Sequence, residues 1–200
     1  MMLTETTLEV FLWSGRIALP LLLVIASATD LVSRRIPNWL PLSGLLFALA
    51  WHSVPIEGGG LFDSDLPGAV GFINATAGAF TCLVVFLLFY ALRVMGAGDA
   101  KLMTAVGGFF GFPAAIGLIL AVLLAGGVLA IARMAVAGTA RGVWRNLQTI
   151  AFAVAVPGVR LSDVFDPATQ SADRMPYALA IAAGTILYGW AKWAGWISLL

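Results

Sequence analysis

Apolar runs of membrane length follow one another along most of this chain, and their succession confines it to a bundle of helices in lipid. Residues 10–29, 39–52, 68–92, 100–112, 113–136 and 176–196 form six candidate spans, of which the second and fourth are short enough to be tilted or re-entrant. Charged residues make up 10% of the chain and hydrophobic ones 61%, against the roughly 25% charged residues of soluble domains. Six spans with short connections use nearly all of the 200 residues. The expected architecture is therefore all-α, a polytopic bundle of about six transmembrane helices forming one membrane-embedded domain over 1–200.

A net charge of +1 leaves no basic excess for nucleic acid, so the placement of charge carries more information than its sum. Loops retained in the cytoplasm are rich in Lys and Arg. Arg34 and Arg35 follow the first span, Arg93 and Lys101 flank the link between the third and fourth, and Arg133, Arg141, Arg145, Arg160 and Arg174 lie at or beyond the end of the fifth. Glu5, Glu9, Glu57, Asp63 and Asp65 fall on the other side, together with the Gly58-Gly59-Gly60 turn. This predicts an amino terminus outside the membrane. Ala26-Ser27-Ala28 resembles a signal cleavage site, but Glu5 and Glu9 before the run and Arg34-Arg35 after it predict that the first span is retained. Between the fifth and sixth spans, Trp144, Leu147, Gln148, Ile150, Ala151 and Val154 approximate helical spacing, predicting a cytoplasmic amphipathic segment on the membrane surface over 144–158.

Two aspartates sit in short polar motifs at span ends: Asp30 in Asp30-Leu31-Val32-Ser33-Arg34-Arg35-Ile36-Pro37-Asn38, and Asp99 in Gly96-Ala97-Gly98-Asp99-Ala100-Lys101. The charge pattern places both at the cytoplasmic face. A carboxylate beside hydrocarbon is costly and marks a functional position by default. Two close carboxylates titrate as a unit, one ionised and one protonated, which is the asymmetry needed to activate water and polarise a carbonyl. Gly96 and Gly98 remove side chains beside Asp99, so extended substrate can approach. Pro37 ends any helix continuing from Asp30 and Asn38 can cap the next, holding Asp30 in a tight interhelical turn. Gly-x-Gly-Asp with Lys two positions later arises by chance in roughly 0.1% of chains of this composition, so the motif carries weight.

With this order and topology the two motifs resemble those of the type IV prepilin leader peptidases, a family of GxGD membrane aspartyl proteases. The resemblance extends to Leu102 and Gly107-Gly108 after the second motif, and to Pro176-Tyr177-Ala178 opening the last span before Gly184. It implies that Asp30 and Asp99 are the catalytic pair, with Gly96, Gly98, Lys101, Pro37 and Asn38 in support, and that neither metal nor cofactor takes part. It implies cleavage after a glycine, at the cytoplasmic membrane face, just before the hydrophobic helix of a prepilin-like precursor. It also implies residence in a prokaryotic plasma membrane and a part in type IV pilus biogenesis and secretion. Larger members carry a cysteine-bearing cytoplasmic region linked to methylation, absent here, so the chain is similar to the short peptidase-only branch serving Flp or tight-adherence pili. Arg34, Arg35 and Lys101 then anchor the membrane face or tune the carboxylates.

The alternative from a different class is a cation- or proton-coupled transporter using Asp30 and Asp99, with Asn74 as the one strongly polar residue deep in a long span. Cys82, alone in an apolar run, reads as a packing residue. His52 beside Trp51 reads as an interface pair. The spacing of Gly107 and Gly111 predicts close packing of the Asp99 helix against the Asp30 helix.

Overall fold

The computed structural model describes residues 5–53, 70–92, 94–138, 142, 148 and 177–196, with side chains from residue 13 onward. Six helices account for nearly all of them: α1 Glu5–Ser33, α2 Trp39–His52, α3 Phe72–Ala91, α4 Ala97–Phe110, α5 Ala114–Ala137 and α6 Tyr177–Trp193. No strand occurs among the described residues. The chain is a helical membrane bundle in which α1, α3 and α5 are long and apolar enough to cross a bilayer, while α2 is a shorter apolar helix. The surface segment expected over 144–158 lies outside the described residues, apart from the helical Gln148. Two compact units are present, one formed by 1–125 with 176–200 and the other by 126–175, the boundary falling within α5. Both aspartates belong to the first unit.

α4 is the centre of that unit. Every residue from Leu102 to Phe109 is buried, as expected for a helix apolar on all sides. It packs most extensively on α3 and α2, and also touches α6 and α1. The α3 contact is close because it is built from small residues: a Cβ on Gly107 would stand 2.6 Å from Cys82 Sγ and 2.7 Å from the carbonyl oxygen of Gly78. Cys82 is thus a core packing residue. Gly107 and Gly111 do bring α4 close to a neighbour, but the neighbour is α3: Gly107 lies against Gly78 and Cys82, and Gly111 against Gly78 and the Asn74 carbonyl. On the far side of the first unit, Gly184 of α6 lies against the backbone of Val122 in α5 and Gly117 of α5 against the Tyr188 ring. Outward-facing Phe80, Val84, Leu87 and Leu88 of α3 leave an apolar surface suited to hydrocarbon.

The end of the unit remote from the aspartates is held by a side chain that the sequence left in the background. His52 is 2% exposed; its Nδ1 accepts the Val70 N–H at 3.0 Å, so its Nε2 carries the proton and donates to the Phe109 carbonyl at 3.2 Å. One imidazole therefore joins the end of α2, the approach to α3 and the end of α4. Beside it Gly111 takes φ +70°, a left-handed turn that ends α4, and Phe112 N–H reaches the Asn74 carbonyl at 3.0 Å.

Substituting Gly107 by Val is expected to destabilise the fold by at least the about 1–3 kcal/mol typical of overpacking, because the Gly78 backbone cannot yield as a side chain can. Gly127, with open space around its Cβ direction, tolerates Ala. Thermal unfolding of both variants in detergent checks the contrast.

Candidate active site

Asp30 lies within α1, three residues before its end, rather than in the turn beyond it. Nothing interrupts the helix until Arg34, which takes φ +51° and closes α1 with its N–H on the Asp30 carbonyl at 2.9 Å. Pro37 follows in the connection, and its carbonyl accepts the Leu40 N–H at 3.1 Å in the opening of α2. Asp30 is 8% exposed. Its Oδ2 accepts the backbone N–H of Ala178, at the start of α6, at 3.2 Å. That amide is one of the donors that a helix start leaves without an intrahelical partner, and the carboxylate satisfies it.

Asp99 occupies the third position of α4, whose apolar stretch begins one residue later. Gly96 before the helix is extended, and its N–H donates to Asp99 Oδ2 at 3.2 Å, so the carboxylate folds back over its own helix start. A Cβ on Gly96 would stand 3.2 Å from that oxygen; glycine keeps the flank of the carboxylate open. Burial pushes the Asp99 carboxyl up to about 6, and the charge of Asp30 adds to the rise, while the Gly96 N–H opposes it. The two aspartates, 69 positions apart in the chain, therefore feel one another as charges. The Tyr177 side chain, next to Ala178, lies within electrostatic reach of Asp99. The first turn of α6 thus binds Asp30 by an amide and brings a phenol within electrostatic reach of Asp99.

The supporting residues take up different tasks from those expected. Gly98 faces Ile36, whose Cβ would be 3.2 Å from an added Cβ, so this glycine accommodates the α1–α2 connection rather than a substrate. Asn38 has helical backbone angles and makes no capping hydrogen bond to α2. Its Oδ1 instead accepts a hydrogen bond from Lys101 Nζ at 2.8 Å. Lys101 is likewise not among the groups that set the proton affinity of Asp99, namely burial, Asp30 and the Gly96 N–H. Asn74 is remote from the pair: it sits in the first turn of α3, its Nδ2 on the Val70 carbonyl at 3.1 Å. No group of three or more His, Cys, Asp or Glu able to hold a metal occurs among the described residues.

The part played by α6 was not legible in the sequence. Pro176-Tyr177-Ala178 stood out as a segment, and the signal that could have led further was its place at a helix start, where free amides seek an acceptor.

Fold and site together define a polytopic helical membrane protein whose two interacting carboxylates stand at neighbouring helix ends. A model of the type IV leader peptidase family matches residues 17–131, more than half of the chain, and spans both aspartates. The chain belongs to that family, and is a membrane peptidase of the prepilin leader type. No curated protein and no solved structure matches it. Tyr177 and Ala178 lie beyond the matched stretch.

The raised Asp99 carboxyl has a thermodynamic consequence. Between its ordinary value of 3.8 and about 6, the folded chain holds a proton at Asp99 that the unfolded chain has released, so stability falls as pH rises through that window. Asp99→Asn keeps an acceptor for the Gly96 N–H and removes the penalty. Its melting temperature relative to the native chain should therefore rise from pH 4 to pH 7 and level off above, which paired melting series in detergent would show.

Proposed function

We propose that the chain is an aspartyl endopeptidase that removes the leader of prepilin-like precursors at the cytoplasmic membrane face, using Asp30 and Asp99 as the catalytic pair and no cofactor. The placement of these two carboxylates carries the reading: Asp30 is buried in the last turn of α1, and Asp99, half-buried in the first turn of α4, lies within reach of its charge. Asp99 holds the shared proton and donates it toward the scissile carbonyl, raising its electrophilicity. Asp30 has one oxygen engaged by the Ala178 amide and uses its remaining lone pairs to take a proton from water. The water oxygen bonds to the carbonyl carbon, giving a tetrahedral diol. Collapse of that diol breaks the C–N bond as the proton gained by Asp30 passes to the leaving amine and one diol hydroxyl returns its proton to Asp99, which leaves a carboxylic acid and restores the pair.

The surroundings fit such a substrate. Both aspartates lie about one helical turn inside the ends of their helices, the depth at which a precursor's hydrophobic helix begins. Gly96 leaves the flank of Asp99 clear for an extended backbone. The basic residues near this end of the bundle, Arg34, Arg35 and Lys101, favour the cytoplasmic side for it. In this orientation the amino terminus is outside and 1–200 acts as one membrane-embedded peptidase domain of the short type that serves Flp or tight-adherence pili.

The transporter alternative draws less support. Among the other buried side chains with polar atoms in the described helices, His52 is bound as above, and Thr104 and Thr185 are each bonded to a carbonyl one turn earlier in their own helices. The Tyr188 hydroxyl has no hydrogen-bond partner, and its ring packs against Phe110 at the far end of α4 from Asp99.

Purified protein in detergent should cut a precursor after the glycine of its leader, and Asp30→Asn or Asp99→Asn should each lower kcat by about 10³-fold or more while folding is retained. Full activity in either variant removes that residue from catalysis. Because the reactive state needs one proton on the pair, kcat/KM should fall as pH rises through about 6, the value of Asp99. A pH profile on the native chain reads this directly.

A further inference from the structure

The connection between α1 and α2 contributes no group to the chemistry above, yet it grips the first turn of α4 at two points. Lys101 Nζ donates to Asn38 Oδ1 at 2.8 Å, and Ile36 is seated on Gly98, where even one added carbon would press on it. Asp99 lies between Gly98 and Lys101 in the chain, so the two contacts bracket the carboxylate. At its other end the same connection issues directly from the last turn of α1, which carries Asp30. Ser33 Oγ steadies this passage, donating to the Thr29 carbonyl at 2.7 Å and reaching the Arg35 carbonyl at 3.1 Å. A short closed path therefore runs from Asp30 through Asn38 and Lys101 to Asp99.

Other uses of these two side chains are already accounted for. Asn38 makes no cap to α2. Lys101 stands two positions after Asp99, about 200° round the helix from it, so its side chain leaves the helix on the opposite face. The pairing of an amide and an ammonium from connection and helix is the contact they make with each other.

We propose that Asn38 and Lys101 are positioning residues: their hydrogen bond, with Ile36 seated on Gly98, holds the start of α4 against the end of α1 and sets the separation of Asp99 from Asp30 at which the pair can share its proton. This rests on the peptidase reading. A single exposed hydrogen bond adds little to global stability, but a shift of about 1 Å in a reacting group can lower a rate by about 10²-fold. The latch therefore acts on rate far more than on folding.

The test uses the full chain in detergent, a precursor with a glycine-ended leader, and the variants Asn38→Leu, Lys101→Met, their double, and Asn38→Asp in both native and Lys101→Met backgrounds. Asn38→Leu and Lys101→Met should each lower kcat about 10-fold or more with KM within about 2-fold, and the double should be no worse than the poorer single. Asn38→Asp restores an acceptor and should stay within about 3-fold of native when Lys101 is present, but lose activity in the Lys101→Met background. In Asn38→Leu, which changes no charge, separation of the carboxylates relieves their repulsion, so the alkaline limb of the pH profile moves to lower pH. Native kcat in Asn38→Leu, multiplicative losses in the double, or an Asn38→Asp effect indifferent to Lys101 would overturn the latch while leaving the peptidase reading intact. If the native chain leaves the precursor uncut, the peptidase reading fails instead. That outcome overturns the latch as well, since its effect is on the rate of that reaction.

Discussion

The constraint on which the rest of the structure depends is that α4 has no free face beyond its first turn. A helix of 14 residues spans about 21 Å, less than the about 30 Å of a bilayer's hydrocarbon core, and such a helix persists there only if neighbours cover it. α3 does so through glycine and Cys82 at near backbone contact, and α2 through the flank that includes Leu45 and Ala48. His52 secures the far end by tying Phe109 to Val70. With that end held, Asp99 in the first turn of α4 is half-buried against its neighbours.

Burial and mutual repulsion then act together on the carboxylates. Desolvation alone would make Asp99 a passive neutral acid, and a partner charge alone, in water, would be screened. With Asp30 also sheltered and bound by the Ala178 amide, its charge adds to the burial that raises Asp99. Three helix ends contribute: the last turn of α1, the first of α4 and the first of α6. The polarity of those ends matters, because the amino-terminal turns of α4 and α6 offer free N–H groups to oxygen atoms.

Much of this was legible in the residues. Apolar run lengths predicted six helices near their observed places, and the ends of α2 coincide with the expected 39–52. The two aspartates stood out because carboxylates are rare in such a chain and because both fell at the basic ends of their runs. Legibility stopped where a choice of neighbour was needed. Gly107 and Gly111 announced a close approach without saying to which helix, and α3 rather than α1 is the partner. Gly98 announced space without saying for what, and the occupant is Ile36. Asn38 had the chemistry of a cap but found Lys101, and His52 had the look of an interface residue but closes the core.

The sequence by itself determined the helical class, the approximate spans and the pair of aspartates, because hydrophobic run length and the cost of a charge beside hydrocarbon are properties of local composition. Tertiary structure alone decided where each small or polar residue is seated: Asp30 within reach of Asp99, the Ala178 amide on Asp30, Tyr177 within electrostatic reach of Asp99, and Asn38 joined to Lys101. These depend on how helices distant in the chain are rotated and seated against one another. That is set by packing summed over the whole bundle, which no short stretch of residues contains.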